Sequence, residues 1–360
     1  LGELLSDQAP DHALAWLQRG LVEVDADNDL APARAELLVA LSTVQIRRGD
    51  YAAAAEAVQA GLRAAVDLPD RLFIRAQLNL GIIASERGDF DDAFAFTRQA
   101  AAHAAQAHDD IWRVPAEMNL GLYAFTQGDW DGAVSHLTIA SDLAGRVGSG
   151  TQRTELAINL GQILLRRGED TEAGVKLQAA LELARQYHLV SHEIVATINL
   201  AEWRQRRAEL ETALSLIEAA RQRSLETGLS AWLPEIYRRE AQIRLAANDG
   251  AGAATAIAQS LTIAAESPLE LGMSLRVQGR ALAAAGQAQA AAAAFARSLE
   301  LLAGVDPYEV ARTQLAWARL HQASGDDAGA QPLFDAAEAT FTRLGARRDL
   351  QETRDTRRSA

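Results

Sequence analysis

The chain has 360 residues, of which 49% are hydrophobic and only 5% aromatic, and it carries a formal net charge of −13. That charge repels a nucleic-acid polyanion over most of the surface, so direct DNA binding is not expected. The absence of cysteine excludes disulfides, thiolate metal sites and a cysteine nucleophile. Lys176 is the only lysine among 35 basic residues, a bias that reads as genomic base composition rather than as a basic patch. No run of ~18 or more uncharged apolar residues occurs. The segment from Leu1 to Asp11 lacks a basic stretch followed by an apolar one, so a cytoplasmic location is the expectation.

In chain order, the first predicted helix (Pro10 to Val24) reads as the second helix of a pair, so the chain reads as a segment of a longer protein. The link after it, Asp25-x-Asp27-x-Asp29 with Glu36 beyond, has the acidic spacing of a calcium loop. Leu30 stands where such a loop needs glycine, and Ala31-Pro32 follow, so the favoured reading is an acidic link that caps the next helix. From there first helices are predicted near 33–48, 71–87, 111–127, 151–167, 191–207, 231–247, 268–285 and 307–324, each followed after a turn by a second. The stretch from Gly345 to Ala360 is dense in charge and is expected to form a solvated capping helix or a frayed tail.

Periodicity carries these assignments. Asn79-Leu80-Gly81, Asn119-Leu120-Gly121, Asn159-Leu160-Gly161 and Asn199-Leu200-Ala201 recur at intervals of 40 residues. Each precedes a turn signal: Gly88-Asp89, Gly128-Asp129, Gly168-Glu169 and the degenerate Ala208-Glu209, with Gly49-Asp50 upstream and Asn248-Asp249, Gly286-Gln287 and Gly325-Asp326 downstream. Glycine or asparagine supplies the left-handed residue that ends one helix, and the following acid starts the next. Five residues after each turn stands an alanine (Ala54, Ala93, Ala133, Ala173, Ala213, Ala253, Ala291, Ala330), and a second small residue follows one helical face further on. Small residues at these offsets let antiparallel helices approach closely.

Small, turn, small, small at these offsets resembles the tetratricopeptide repeat (TPR). The period is near 40 rather than the standard 34 residues, and the helix-A Trp and Tyr and the closing Pro are missing. The resemblance implies an all-α, right-handed α-solenoid of about eight TPR-like antiparallel helix pairs, with residues 1–345 as one solenoid whose first pair is incomplete and 346–360 as a charged cap or tail. Long pairs joined by an irregular link, as between Ala180-Leu181-Glu182-Leu183-Ala184-Arg185 and the helix ending at Asn199-Leu200, are similar to the TPR superhelices of MalT-like and other STAND-type bacterial regulators.

Catalytic chemistry finds no foothold in the sequence, so no enzyme and no cofactor is expected. The lone lysine follows Gly174-Val175 inside a predicted second helix, which excludes a phosphate loop. His192-Glu193 is followed at the required spacing by Ala196, so a zinc-protease helix is missing its second ligand. His188 and His192 read as an ordinary surface pair, and the tryptophans, Trp112 and Trp232 among them, as packing residues between repeats.

The pattern that points to binding is the row Asn79, Asn119, Asn159 and Asn199, continued by Arg239 at the same offset in a fifth copy. In TPR peptide binders this position faces the concave groove. An amide both donates and accepts, so a row of them suits the alternating N–H and C=O groups of an extended peptide. Arg75, one helical turn before Asn79, joins the candidate ligand-binding set, and variable neighbours such as Glu155, Arg166, Arg206 and Glu235 would set specificity. Equally open is a structural role in which each asparagine bonds the adjacent repeat. The expected partner is a protein or peptide, with an attached NTPase or regulatory domain in the full-length protein. A small-molecule effector such as an oligosaccharide, and self-assembly, are the alternatives.

Overall fold

The computed structural model describes residues 10–24, 30–64, 68–264 and 267–358. Among them are 18 α-helices and no strand. A lone α1 (Pro10–Val24) precedes eight pairs: α2 (Ala31–Arg47) with α3 (Tyr51–Ala64), α4 (Asp70–Glu86) with α5 (Phe90–Gln106), α6 (Asp110–Thr126) with α7 (Trp130–Val147), α8 (Gly150–Arg167) with α9 (Asp170–Gln186), α10 (Val190–Arg206) with α11 (Leu210–Thr227), α12 (Leu233–Ala246) with α13 (Gly250–Ile263), α14 (Pro268–Ala284) with α15 (Ala288–Leu302), and α16 (Pro307–Ala323) with α17 (Asp327–Leu344). A last helix, α18 (Arg347–Arg358), follows them. The acidic link with calcium-like spacing, Asp25 to Asp29, lies outside the described residues, and Glu36 is exposed on α2.

The helix boundaries follow from the turn chemistry. All eight turns inside pairs hold a left-handed residue: Gly49, Gly88, Gly128, Gly168, Gly286 and Gly325, with Ala208 at φ 59° and Asn248 at φ 60° filling the same role. The chain then closes back on the helix it leaves, as where the Asp89 N–H donates to Ala84 O at 2.9 Å and the Asp249 N–H to Arg244 O at 2.9 Å. Asp50, Asp249 and Asp326 accept from the backbone N–H of Ala53, Gly252 and Gly329, which caps the second helices. Asp89 and Glu169 start theirs without such a bond.

Four of the links between pairs, expected to be irregular, are tight turns of the same kind. His108, Gly148, His188 and Gly228 stand at intervals of 40 residues and all have positive φ. Leu189 N–H donates to Ala184 O at 2.8 Å and Leu229 N–H to Ser224 O at 3.0 Å, repeating the closure used within pairs. Histidine is among the few non-glycine residues that enter this region with some frequency. One first helix departs from its expected start: residues 230–232 form a 3₁₀ turn and α12 begins at Leu233, with Pro234 in its first turn, where a missing N–H costs nothing.

Close approach accounts for the small residues. The alanines five residues after each turn are buried. A Cβ added at Gly161 would stand 2.5 Å from Leu177, and one at Gly279 2.5 Å from Phe295. The later small set includes Ser260 and Ser298, whose hydroxyls donate to Pro234 O at 2.8 Å and Gly272 O at 2.7 Å. A serine there joins the two helices of a pair while filling no more than an alanine's space.

The helices group into two compact units. The first comprises residues up to 149 except for the turn 128–130, and its core is built of neighbours, such as Ala35, Val39, Ala54, Val58, Leu72, Ala76 and Ile83 from α2, α3 and α4. In the second unit, residues 150–360 with that turn, Ile194, Ile198, Ile217, Ile236 and Ile243 pack α10, α11 and α12 together in the same way. It also contains long-range contacts. Arg166 near the end of α8 bonds Asp306 at the start of α16 at 3.2 Å and lies over the Tyr308 ring at 4.7 Å. Arg348 of α18 reaches Asp170 at 2.7 Å and the Arg206 carbonyl at 2.9 Å. First helices several pairs apart therefore face one another, and the second unit curves until its own two ends touch.

Candidate functional site

The asparagine row does not behave uniformly. In the first unit, Asn79 is buried and its Nδ2 donates to Ser42 Oγ at 2.7 Å, Thr43 Oγ1 at 2.9 Å and Val39 O at 3.3 Å, all on the preceding first helix. Arg75 reaches Thr43 Oγ1 at 3.4 Å. Asn119 is partly buried, and its side chain has no hydrogen-bond partner among the described residues. In the second unit Asn159 is likewise partly buried and without a partner among the described residues. Asn199 is buried, accepts from Gln162 Nε2 at 3.3 Å, and leaves its own Nδ2 without an acceptor. Arg239 pairs with Glu202 at 2.7 Å and Glu235 at 3.5 Å, and donates to Gln242 Oε1 at 3.3 Å.

Arg75 also lines an open cleft of about 640 Å³ in the first unit, walled by Leu17, Glu36, Leu37, Arg71, Leu72 and Trp112. Trp112 packs at the same time against the neighbouring repeat core of Ile74 and Leu78, and Trp232, three repeats on, donates to Ser191 Oγ at 3.3 Å. Both tryptophans are thus seam residues, and Trp112 shows part of its surface to the cleft.

The inner face of the second unit is far more polar than the sequence reading anticipated. Arg238, Gln242, Arg276 and Glu309 are buried there, with Glu202 at its edge. Glu202 bonds Arg206 at 2.8 Å as well as Arg239. Glu309 takes Arg276, Arg312 at 3.6 Å and Arg166 at 4.0 Å. Arg238 meets Glu235 at 3.6 Å and Glu270 at 3.4 Å. Tyr308 donates from its hydroxyl to Asp349 Oδ2 at 3.0 Å.

Electrostatics follow from burial against pairing. Burial alone would raise the Glu202 carboxyl, but the guanidiniums of Arg239, Arg206 and Arg312 outweigh it and hold the group well below the usual carboxylate range. Burial opposes Glu309 in the same way, and Arg276, Arg312 and Arg166 bring it down to about 2. At Glu270 burial wins over Arg238, and the carboxyl is raised. Even after this pairing, Arg238 Nε, Arg276 Nε and Gln242 Nε2 are buried donors without hydrogen-bond acceptors among the described residues. Such groups are uncommon and costly in folded proteins.

The residues missing from the sequence reading are Gln162, Glu202, Gln242, Arg276, Arg280, Glu309 and Arg312. For four of them the signal was present: Gln162, Glu202, Gln242 and Arg280, with Arg319, all stand six residues before their turns, a polar column parallel to the asparagine one. No group of three or more potential metal ligands occurs among the described residues. No helix among them is long and apolar enough to cross a membrane.

No protein-family model and no curated protein sequence matches the chain. Among solved structures, the apo form of RapI aligns with 96% of this chain and 94% of its own at a TM-score of 0.70 and 13% identity. NprR in complex with its cognate peptide NprX aligns with 88% of this chain and 78% of its own at 0.53 and 17%. A Signal Transduction ATPase with Numerous Domains (STAND) protein from Pyrococcus horikoshii, which carries a tetratricopeptide repeat sensor, aligns with 88% of this chain and 46% of its own at 0.59 and 14%. At such identities the likeness concerns the fold. The fold is a TPR-type helical-repeat superhelix, similar to that of these structures.

Proposed function

We propose that the second unit holds an extended peptide or protein segment along its polar inner face, as the sensor or scaffold part of a larger bacterial regulator of the STAND type. The observation that carries this reading is the set of side-chain amides whose donors have no acceptor among the described residues, Asn159, Asn199 Nδ2 and Gln242 Nε2, on successive first helices. Peptide carbonyls are the natural acceptors for such a row, and amides at repeat spacing read a main chain without demanding a particular side chain. NprR, whose structure was solved with its cognate peptide, shares the fold. A cytoplasmic location and an attached NTPase or regulatory domain belong to the same proposal, and the fold likeness to the sensor of a STAND protein supports them. In this reading the chain binds and does not catalyse.

The test is selection of displayed random hexapeptides on the 360-residue chain, with affinities measured by fluorescence anisotropy. Asn159→Ala should weaken a selected peptide about five- to tenfold, the loss of one hydrogen bond of ~1 kcal/mol, with the melting temperature unchanged. Selection of no peptide, or binding indifferent to Asn159→Ala, would overturn the proposal. A second reading rests on Trp112 in the cleft of the first unit: an aromatic face beside Glu36, Arg71 and Arg75 suits an oligosaccharide. Quenching of tryptophan fluorescence by oligosaccharides, lost in Trp112→Leu, would favour it.

A further inference from the structure

One arginine of the second unit breaks the pairing rule of its neighbours. Arg276 on α14 pairs with Glu309, and on α16 Arg312 pairs with Glu309 while Arg319 pairs with Glu352 at 2.7 Å and Thr356 at 3.1 Å. Arg280, one turn beyond Arg276, is partly buried and makes no ion pair and no hydrogen bond among the described residues. The charges that act on it are those of Arg312 and Arg319, opposed by Glu352. Burial first, and then this repulsion, push the guanidinium down to about 10, so it is still protonated at neutral pH. A cation is thus kept half out of water beside two others, in a chain whose net charge is −13. No ion pair or hydrogen bond among the described residues compensates that cost.

The surroundings favour a small anion. Ala316 stands on α16 four residues after Arg312 and three before Arg319, so the helix face between the two guanidiniums carries only a methyl group. Arg319 takes Glu352, and Arg312 takes Glu309, which Arg276 and Arg166 also share, so Arg280 is the guanidinium of this group left without a carboxylate. One carboxylate would partner it, because the planar fork of an arginine donates two parallel N–H bonds to a carboxylate.

We propose that Arg280, flanked by Arg312 and Arg319, is a subsite for a carboxylate of the bound peptide, either an acidic side chain or the C-terminal group. This rests on the peptide reading above and adds a chemical preference to it. Synthetic hexapeptide pools, fixed at one position as Glu, Gln, Lys or phosphoserine and made with free or amidated C-termini, are titrated against the wild-type chain, Arg280→Gln and Arg280→Lys. Wild type should bind the Glu pool or the free-carboxylate pools at least tenfold more tightly than the Gln or amidated ones. Arg280→Gln should erase that difference, and Arg280→Lys should keep part of it. The unliganded Arg280→Gln protein should melt at the same or a higher temperature, because the substitution removes a repelled charge and no partner. Equal binding of acidic and amide pools, a phosphoserine preference over Glu, a preference that survives in Arg280→Gln, or a melting temperature several degrees lower in that variant would each overturn the subsite and leave the peptide reading standing. If no pool binds at all, both fall together.

Discussion

At the scale of single residues, the asparagine row shows one residue type at one repeat position in two different settings. Asn79 spends its amide on Ser42, Thr43 and Val39, so it ties one first helix to the previous one. Asn119, forty residues on, has no such partner among the described residues. Asn79→Ala should therefore cost about 1–2 kcal/mol of stability in urea unfolding, and Asn119→Ala should leave the midpoint in place. The recurrence of asparagine was plain in the sequence. Which copies are engaged was not, because that depends on whether the preceding repeat offers a hydroxyl pair such as Ser42-Thr43, a detail outside the repeat pattern. Arg239 stood out in the sequence by its place in the asparagine column, whereas its carboxylate Glu202 stands in a different column and became visible only in three dimensions.

At the scale of helices and turns, the chain is governed by left-handed residues. Seven turns were legible because glycine, or asparagine, marks a positive φ almost by necessity, and the eighth, at Ala208, only from the repeat interval. The turns between pairs escaped because His108 and His188 take the same conformation without announcing it, although their interval of 40 residues from Gly148 and Gly228 was there to be read. Ala208, at φ 59°, is the costly member of the series. Ala208→Gly should stabilise the protein by roughly 0.5–1 kcal/mol, while Gly88→Ala, where an added methyl meets nothing within 4 Å, should lose about as much from backbone strain alone. Paired thermal melts of the two variants give the comparison. Either sign reversed would mean that the turn conformation does not limit stability.

At the scale of the whole molecule, the packing of each helix on its neighbour was legible and the curling of the second unit was not. A repeat period encodes only nearest-neighbour relations, whereas the meeting of α8 and α10 with α16 and α18 sums small rotations over several pairs. The ion pairs made there give a pH dependence of definite sign. Glu309 has a folded carboxyl held at about 2 against an ordinary value of 4.5, so its contribution is fully present above about pH 4.5 and lost as the pH falls through 2. Glu202 acts in the same direction. Circular-dichroism melts should therefore fall steeply between pH 4.5 and 2. Glu309→Gln, by leaving Arg276 buried without its carboxylate, should cost ~3–5 kcal/mol at neutral pH and flatten the acid response.

The touching ends of the second unit also change how it comes apart. A row of helix pairs linked only to neighbours melts piecemeal, because each pair's stability simply adds to the next. Arg166 on Asp306 and Arg348 on Asp170 join residues 140 and 178 positions apart, which couples the first pair of the unit to its last helix. Fraying from either end must then break the clasp first, so the pairs between should unfold in one sharp step. Removing the clasp, by Arg348→Ala with Arg166→Ala, should broaden that transition while the helix content at low temperature stays as it was.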